Sequence, residues 1–568
     1  MLNFARFTKS LAGLLSLCFL LFFAFPLLLF SQNADEFNYG FLSLLPEGLL
    51  YLLPVVLGLA FFLSFLPERL FSLMSAALLV LIVLVYVQGL FLVWEYGPFN
   101  GELIKWSHFK KEEWIDGLIW FFFLSLALFY HQRLRKFYFP LLLFVLVALS
   151  MSLASELFTK ESKFPNDSEA IKNDSLFSFS NSKNALVIVL DTFVSPAFEE
   201  IMKRQAELAS IFSGFTYYPN TLAPFSTTAP SIPSLLSGTQ YDNSEPIKDY
   251  LSRVLPFSSL PSQMHANGYQ TDTMTMSVIC PRIKGSCHAL NKIVARDPGE
   301  AKFREYLELM DFTLFRVLPQ VLKKKVYNNE KWLLQRVLHK GGSPRSLFNS
   351  VRFADVFERR IHTDSAKPTF KFLHLMIPHP PIHFKADCSI IKKEEELTYL
   401  KQKKKAFEGQ AICSLRLLEK MFSAMKKNGV FDSSLIIVTA DHGHALRYLT
   451  QREGEVPALM EQAMPLLLLK EAGVNGTEPY KVSNAPAYLI DIPKTVADFF
   501  DLSFKFPGES LLSLPETKDR LRYYWSYGWH DEFWKKTYMP KMHGYVVSGN
   551  VRDPRSWSQG KSLAPPER

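Results

Sequence analysis

The chain has 568 residues, with 63 Lys and Arg against 54 Asp and Glu for a net charge of +9, and a mean hydropathy of +0.06. With 50 Phe, 48% hydrophobic and 21% charged residues it is too apolar for a disordered chain and more apolar than an ordinary soluble enzyme. The basic excess is modest and scattered, which excludes nucleic-acid binding.

The apolar excess is concentrated before residue 155. A helix needs about 20 apolar residues to cross a hydrocarbon core of about 30 Å, and five such segments are predicted: Ser10 to Phe30, Leu49 to Leu66, Leu70 to Trp94, Gly117 to Tyr130 and Phe139 to Ala154. The last two are short, but Arg133, Arg135 and Lys136 between them would each cost roughly 2.5–3.5 kcal/mol in hydrocarbon, so two separate crossings are expected. Lys and Arg are retained on the cytoplasmic side, and Arg6, Lys9, Arg69, Arg133, Arg135 and Lys136 fall at alternate ends of these segments. That pattern puts the amino terminus inside and everything after about residue 155 outside the cytoplasm, in a bacterial-type inner membrane. The first segment is too long for a signal peptide and lacks a small-x-small cleavage site, so it reads as an uncleaved anchor.

Residues 156–183, rich in Ser, Asn and charge, read as a linker. After it, Ala185 to Leu190 is a short β-branched run of the kind buried on both faces of a parallel sheet. Similar runs recur at Phe370 to Ile377, Leu435 to Thr439 and Pro465 to Leu469, with helical periodicity between them, as at Lys404 to Lys426. Strands alternating with helices predict an α/β domain with a mostly parallel sheet over 184–510, followed by an aromatic-rich extension, 511–568. In that extension Tyr523 to His530 reads as a packed terminal strand. Four of the five cysteines, Cys280, Cys287, Cys388 and Cys413, lie in this half. Three pairings are open to them, and Cys280 with Cys287 is the easiest to close.

Ligands of open α/β sheets gather beyond the carboxyl ends of the strands. There stand Asp191 after the first run, Asp441, His442 and His444 after the third in chain order, and His379 and His383 in a Pro-rich loop after the run that carries His374. Two carboxylates and an imidazole at neighbouring strand ends can share one divalent metal. Between the first two strands, Pro224-Phe-Ser-Thr-Thr-Ala-Pro-Ser-Ile-Pro-Ser-Leu-Leu-Ser-Gly238 predicts a helix from Ser231, with Pro233 in its first turn and Gly238 at its end. Thr228 then precedes a helix amino terminus, where N–H groups and the dipole favour a phosphate or an alkoxide. A hydroxyl becomes a useful nucleophile when a metal displaces its proton.

The blocks ALVIVLDTF, STTAPSIPSLLSG, HLMIPHPPIHF, LIIVTADHGHAL, MPLLLLK and SNAPAYLIDIPKTVADFFDL follow one another across about residues 184–505. In this order they resemble the alkaline phosphatase/sulfatase superfamily. The resemblance is to its membrane-anchored branch of lipoteichoic-acid synthases and phosphoethanolamine or phosphoglycerol transferases, which also carries five amino-terminal helices. The resemblance implies Asp191, Thr228, Asp441 and His442 as metal ligands, Thr228 as nucleophile and His379 as a histidine at the substrate or its leaving group. His374, His383 and His444 are weaker candidates for substrate contact, and Ser226 and Thr227 are the hydroxyls that a shift in registration would promote. Sulfatases carry Cys or Ser at the nucleophile position in a C/S-x-P-x-R core, oxidised to formylglycine. Here the core is Thr-Ala-Pro-Ser-Ile, with Ile232 in place of the arginine, which favours phosphoryl transfer through a phosphothreonine over sulfate-ester hydrolysis. No Asp-x-x-x-His block for a second zinc accompanies His374 and His379, so one metal (Mn, Zn or Mg) is expected. The donor implied is a membrane phospholipid and the acceptor a lipid-linked or glycan alcohol. The alternatives are a sulfatase-like or phosphatase-like ester hydrolase and a catalytically silent membrane scaffold.

Overall fold

The structure is a computed structural model. It describes the chain except residues 1–2, 34–36, 38, 47–48, 50, 97–103, 105, 160–174, 276–278, 289, 291–297, 329–331, 339–344, 392–400, 450–455, 529–537 and 567–568. Most of the expected linker and the end of the aromatic tail, Trp529 and His530, lie outside the described residues. Two compact units form, 1–172 with 295–344, and 173–294 with 345–568.

In the first unit three helical runs are long and apolar enough to cross a membrane: Phe4–Gln32 (α1), Glu68–Leu90 (α3) and Trp106–Ser155. The third contains Lys110–Leu134 (α4) and Tyr138–Thr159 (α5), joined by a short 3-10 turn, Arg135–Phe137. The second expected segment is the shorter apolar helix Leu52–Ser64 (α2). The expected fourth and fifth segments are thus parts of one helical run, interrupted by a kink at Tyr130 (φ -117°, ψ 21°) and by the Arg135–Phe137 turn. Arg135 and Arg6 both pair with Glu68, and Tyr138 Oη donates to Lys9 O at 3.1 Å, so the starts of α1, α3 and α5 meet at one charged end. At the other end of α3, Gln88 Nε2 donates to Asp116 Oδ2 of α4 at 2.9 Å.

The second unit is built on Asn184–Leu190 (β1), whose seven residues are all buried. Leu186, Ile188 and Leu190 enter the apolar cluster on one face and Ala185, Val187 and Val189 the cluster on the other. Covering both faces in this way is why the run carries no alternation of polar residues. The sheet has eight strands, further comprising Thr216–Tyr217 (β2), Gln270–Met274 (β3), Ser286–His288 (β4), Thr369–Leu375 (β5), Ser434–Thr439 (β6), Leu467–Lys470 (β7) and Lys481–Val482 (β8). They lie in the order β8-β2-β7-β6-β1-β5-β3-β4. β1 pairs in parallel with β5 and β6, and β3 with β5 and β4, while β7 runs antiparallel to β6 and β2. The helix expected at Lys404 to Lys426 spans Lys403–Lys427. The carboxyl terminus forms a separate antiparallel sheet, Leu521–Ser526 (β9), His543–Ser548 (β10) and Trp557–Gln559 (β11). Disulfides join Cys280 to Cys287 and Cys388 to Cys413.

Two departures from expectation bear on the site. Residues 295–344, between β4 and the helix Arg345–Arg360, leave the α/β unit and cluster with the apolar helices. The helix expected from Ser231 starts at Thr228 and runs Thr228–Ser237, with Thr227 as its N-cap and Gly238 closing it at φ 71°. Pro230 is the proline tolerated in its first turn, where no N–H is bonded within the helix, and Pro233 sits deeper.

Candidate active site

Parallel pairing of β1 with β5 and β6 brings three carboxyl-terminal strand ends side by side. Asp191 follows β1 immediately, with its amide donating to Leu375 O of β5 at 3.0 Å. Thr192 takes a left-handed φ of 63°, a strained conformation for a β-branched residue, and its N–H donates to Asp441 Oδ1 at 3.1 Å. The strain therefore aims a donor across the site from one carboxylate strand to the other.

Asp191, Asp441 and His442 are buried, and one ligand atom from each lies within 4.8 Å of the others. Asp191 Oδ1 and Asp441 Oδ2 are buried without a hydrogen-bond partner. Buried carboxylate oxygens are expensive unless neutralised or bonded, and among the described residues no Lys or Arg bonds either group. His442 donates from Nδ1 to Gly443 O at 2.8 Å, which leaves Nε2 as the lone-pair nitrogen, 3.5 Å from Asp441 Oδ2. Two orphaned oxygens and one oriented imidazole nitrogen fit a divalent cation.

Thr228 completes the group. Its Oγ1 lies 3.3 Å from His442 Nε2 and 3.5 Å from Asp191 Oδ2, at the amino end of its helix. Thr227 turns the other way, its hydroxyl bonded to the Tyr527 hydroxyl, and Ser226 Oγ is held by the Tyr527 backbone at 3.2 and 3.3 Å. Ser231, one turn into the helix, donates to Asp441 O at 2.6 Å.

The histidines separate by position. His374 is buried at the end of β5 with Nε2 3.0 Å from Asp191 Oδ2. Burial lowers its pKa, but the bond to Asp191 and that carboxylate's charge outweigh burial and hold it above the usual imidazole range. Burial raises the pKa of Asp191, and the charges of His379, His374 and His442 with the His374 bond reverse this and pull it below the usual carboxylate range. His379 lies in the loop after β5, bonded through Nδ1 to Pro380 O, close enough to act on the Asp191 charge. His383 is in the same loop. His444 stacks on Phe407 at 6.0 Å, and burial, with the charges of His442, His379 and Lys403, lowers its pKa to about 4. It is therefore neutral at physiological pH.

Sequence reasoning missed three supports. Gln410, buried in the helix Lys403–Lys427, donates to Pro378 O at 3.1 Å and His379 O at 3.0 Å and accepts from His383 N at 2.8 Å, fixing the histidine loop. Glu461 accepts the amides of Leu446, Arg447 and Leu449 at 2.6–2.8 Å, which shapes the chain after His444. A Cβ on Gly443 would stand 2.0 Å from Glu461 O, so only glycine fits there. Tyr527 follows β9, and Phe225 stacks on Trp525 of β9 at 5.6 Å, so the aromatic extension buttresses the Thr228 loop. A polar residue in a helix or tail carries no sequence mark of such a role.

Residues 183–502, more than half of the chain, match the family described as Sulfatase. The chain belongs to the sulfatase family. This sulfatase-family chain is thereby an enzyme of the alkaline phosphatase/sulfatase superfamily, whose members generally use a metal ion. Among solved structures it is similar to the phosphonate monoester hydrolase SpPMH from Silicibacter pomeroyi, at 14% identity over 66% of this chain and 88% of that one, with a TM-score of 0.40. It is also similar to Ps i-CgsB in complex with k-i-k-neocarrahexaose, at 14% identity over 67% and 86% with a TM-score of 0.40. For the lipoteichoic acid synthase LtaP from Listeria monocytogenes the values are 15%, 68%, 88% and 0.36. No curated protein matches the chain.

Proposed function

We propose that the protein is a multi-pass membrane transferase that moves a phosphoryl-alcohol group of the phosphoethanolamine or phosphoglycerol type from a membrane phospholipid to a lipid-linked or glycan acceptor. The observation that carries the reading is the position of Thr228 Oγ1, between Asp191 and His442 at a helix amino end. No formylglycine precursor stands there, because Thr replaces the Cys or Ser of a sulfatase.

Asp191, Asp441, His442 and Thr228 would hold one divalent ion, Mn, Zn or Mg, which when bound makes the threonine hydroxyl acidic at neutral pH. Thr228 Oγ, its proton released to solvent, attacks phosphorus. The Oγ–P bond forms as the bond from phosphorus to the lipid alcohol breaks, and His379 supplies the proton that alcohol takes up. The acceptor hydroxyl next attacks the phosphothreonine, losing its proton to His379 as Thr228 departs. The unbonded N–H groups of the first turn of the Thr228 helix face anionic oxygen at both stages.

The proposed setting is a bacterial-type inner membrane with the catalytic unit on the periplasmic or extracellular side. Supporting it are the cations gathered at the shared end of α1, α3 and α5 and two disulfides in the catalytic unit. α4 runs along α3 from Asp116 back to Arg135, and α5 starts again beside Lys9, so α4 and α5 are proposed as separate crossings and, with α2, bring the total to five.

The test is peptide mass spectrometry of the full chain after incubation with vesicles of phosphatidylethanolamine or phosphatidylglycerol and Mn, Zn or Mg. An adduct on Thr228 with the mass of phosphoethanolamine or phosphoglycerol is expected. Release of sulfate or phosphate from simple esters with no adduct would replace the proposal with the hydrolase alternative, and inactivity on all substrates with the scaffold.

A further inference from the structure

The segment 295–344 lies between two parts of the catalytic unit in sequence but folds with the apolar helices. Its helices are Pro298–Val317 (α6), Gln320–Tyr327 (α7) and Leu333–Leu338 (α8). We propose that α7 and α8 lie in the bilayer interface, at the edge opposite the Arg6–Glu68–Arg135 end, with their outward apolar side chains in lipid and Lys324, Lys325 and Arg336 among anionic phospholipid head groups. The proposal rests on α1 and α3–α5 crossing the membrane.

Depth is the first argument. The 23 residues of α3 rise roughly 34 Å, close to the hydrocarbon thickness of about 30 Å. With Glu68 and its two arginines at one border, Gln88 and Gly89 stand at the other. The inserted segment is fastened at that second border: Arg316 Nε donates to Gly89 O at 2.7 Å, and the Gln320 amide, first in α7, donates to Asp116 Oδ2 at 3.0 Å. Asp116 also binds Gln88 and Trp94, so α7 begins at the level where α3 ends and α4 starts.

Composition is the second. Side chains on α7 divide by face: Lys323, Val326 and Tyr327 are buried, while Val321, Leu322, Lys324 and Lys325 point outward. On α8, Val337 and Leu338 are 62% and 56% exposed beside exposed Arg336. A lone exposed apolar side chain needs no explanation, but four on two short helices at the end of an apolar bundle, each pair beside cations that can snorkel, match a helix lying in an interface. Beneath them Tyr96, Tyr327 and Trp332 pack in one aromatic cluster with Trp94 and Trp106. Trp and Tyr concentrate at this depth of a bilayer. Lipid is therefore continuous from the exposed face of α4, with Leu118 and Phe121, to α7.

Spin labels at Val321→Cys and Val337→Cys in the full chain, carrying Cys18→Ser and reconstituted in nanodiscs containing phosphatidylglycerol, read depth through collision with oxygen and with a water-soluble nickel chelate. Phe121→Cys serves as the lipid reference and Lys248→Cys, exposed in the catalytic unit, as the aqueous one. The expected result is strong oxygen and weak nickel relaxation at 321 and 337, as at 121. Nickel relaxation at 321 and 337 matching 248, with 121 still protected, overturns the proposal alone. Nickel access at 121 overturns the membrane-crossing reading and the proposal with it.

Discussion

Two buried charge clusters occupy the same eight-stranded sheet and obey opposite rules. Near the outer strands, Asp272 accepts from Ser175 Oγ at 2.6 Å, His288 Nε2 at 3.2 Å and Lys371 Nζ at 3.0 Å. Lys371 in turn donates to Ser175 O at 2.7 Å. At the carboxyl ends of the central strands, Asp191 and Asp441 each keep one buried oxygen without a partner. The first cluster carries its own cation and is complete. In the second, His374 bonds Asp191, yet one oxygen on each carboxylate stays unmatched among the described residues, and that difference, more than burial or acidity, marks Asp191 and Asp441 as the candidate site.

The largest effect expected from breaking this contrast is at the proposed nucleophile. Thr228→Ala should lower turnover by about three orders of magnitude, as removal of a covalent nucleophile does, with the thermal unfolding midpoint little changed. An effect on turnover smaller than tenfold would place the reacting group elsewhere.

Next comes the complete cluster. Lys371→Met leaves Asp272 buried without its cation and should cost roughly 3–5 kcal/mol, read as a lowered melting temperature in detergent. The pH dependence should also weaken. Burial raises the Asp272 pKa, but the His288 bond, the Lys371 charge and the Ser175 bond hold it well below the usual carboxylate range. Its stabilising contribution is then complete above the unfolded value near 3.9 and is lost as pH falls further. In Lys371→Met the His288 and Ser175 bonds remain but the lysine charge is gone, so the gap between the folded and unfolded Asp272 pKa narrows and less stability should be lost on acidification below about pH 4 than in the parent. A variant as stable as the parent, with the same acid profile, would contradict the assignment.

How much of this was legible beforehand follows from where each residue sits. β1, β5 and β6 were readable because a strand covered on both faces must be an unbroken apolar run, and Asp191 and Asp441 because they end such runs. Gln410 and Tyr527 were not: one lies on an amphipathic helix and the other in an aromatic tail, and their roles arise from contacts 31 and 300 residues away in sequence. The start of the Thr228–Ser237 helix is not legible, because Pro230 and Pro233 both suit a first turn and only the fold puts Pro230 there. The allegiance of 295–344 was hidden because helical periodicity shows that a face is buried, not against what.

The smallest effect separates two adjacent hydroxyls. Thr227→Ala removes a bond to Tyr527 and should reduce turnover less than about tenfold, in line with one lost hydrogen bond of about 1 kcal/mol. Equal losses in Thr227→Ala and Thr228→Ala would remove the distinction drawn from their orientation.

The contrast between the clusters is tested most directly by metal content. Purified full-length protein, Asp441→Asn and Asp272→Asn would be loaded with Mn, Zn or Mg, desalted and assayed by elemental mass spectrometry, with circular dichroism to confirm folding. Retention of one divalent ion per chain in the parent and in Asp272→Asn, and its loss in folded Asp441→Asn, is the predicted result. Parental metal content in Asp441→Asn, or loss confined to Asp272→Asn, would contradict the account.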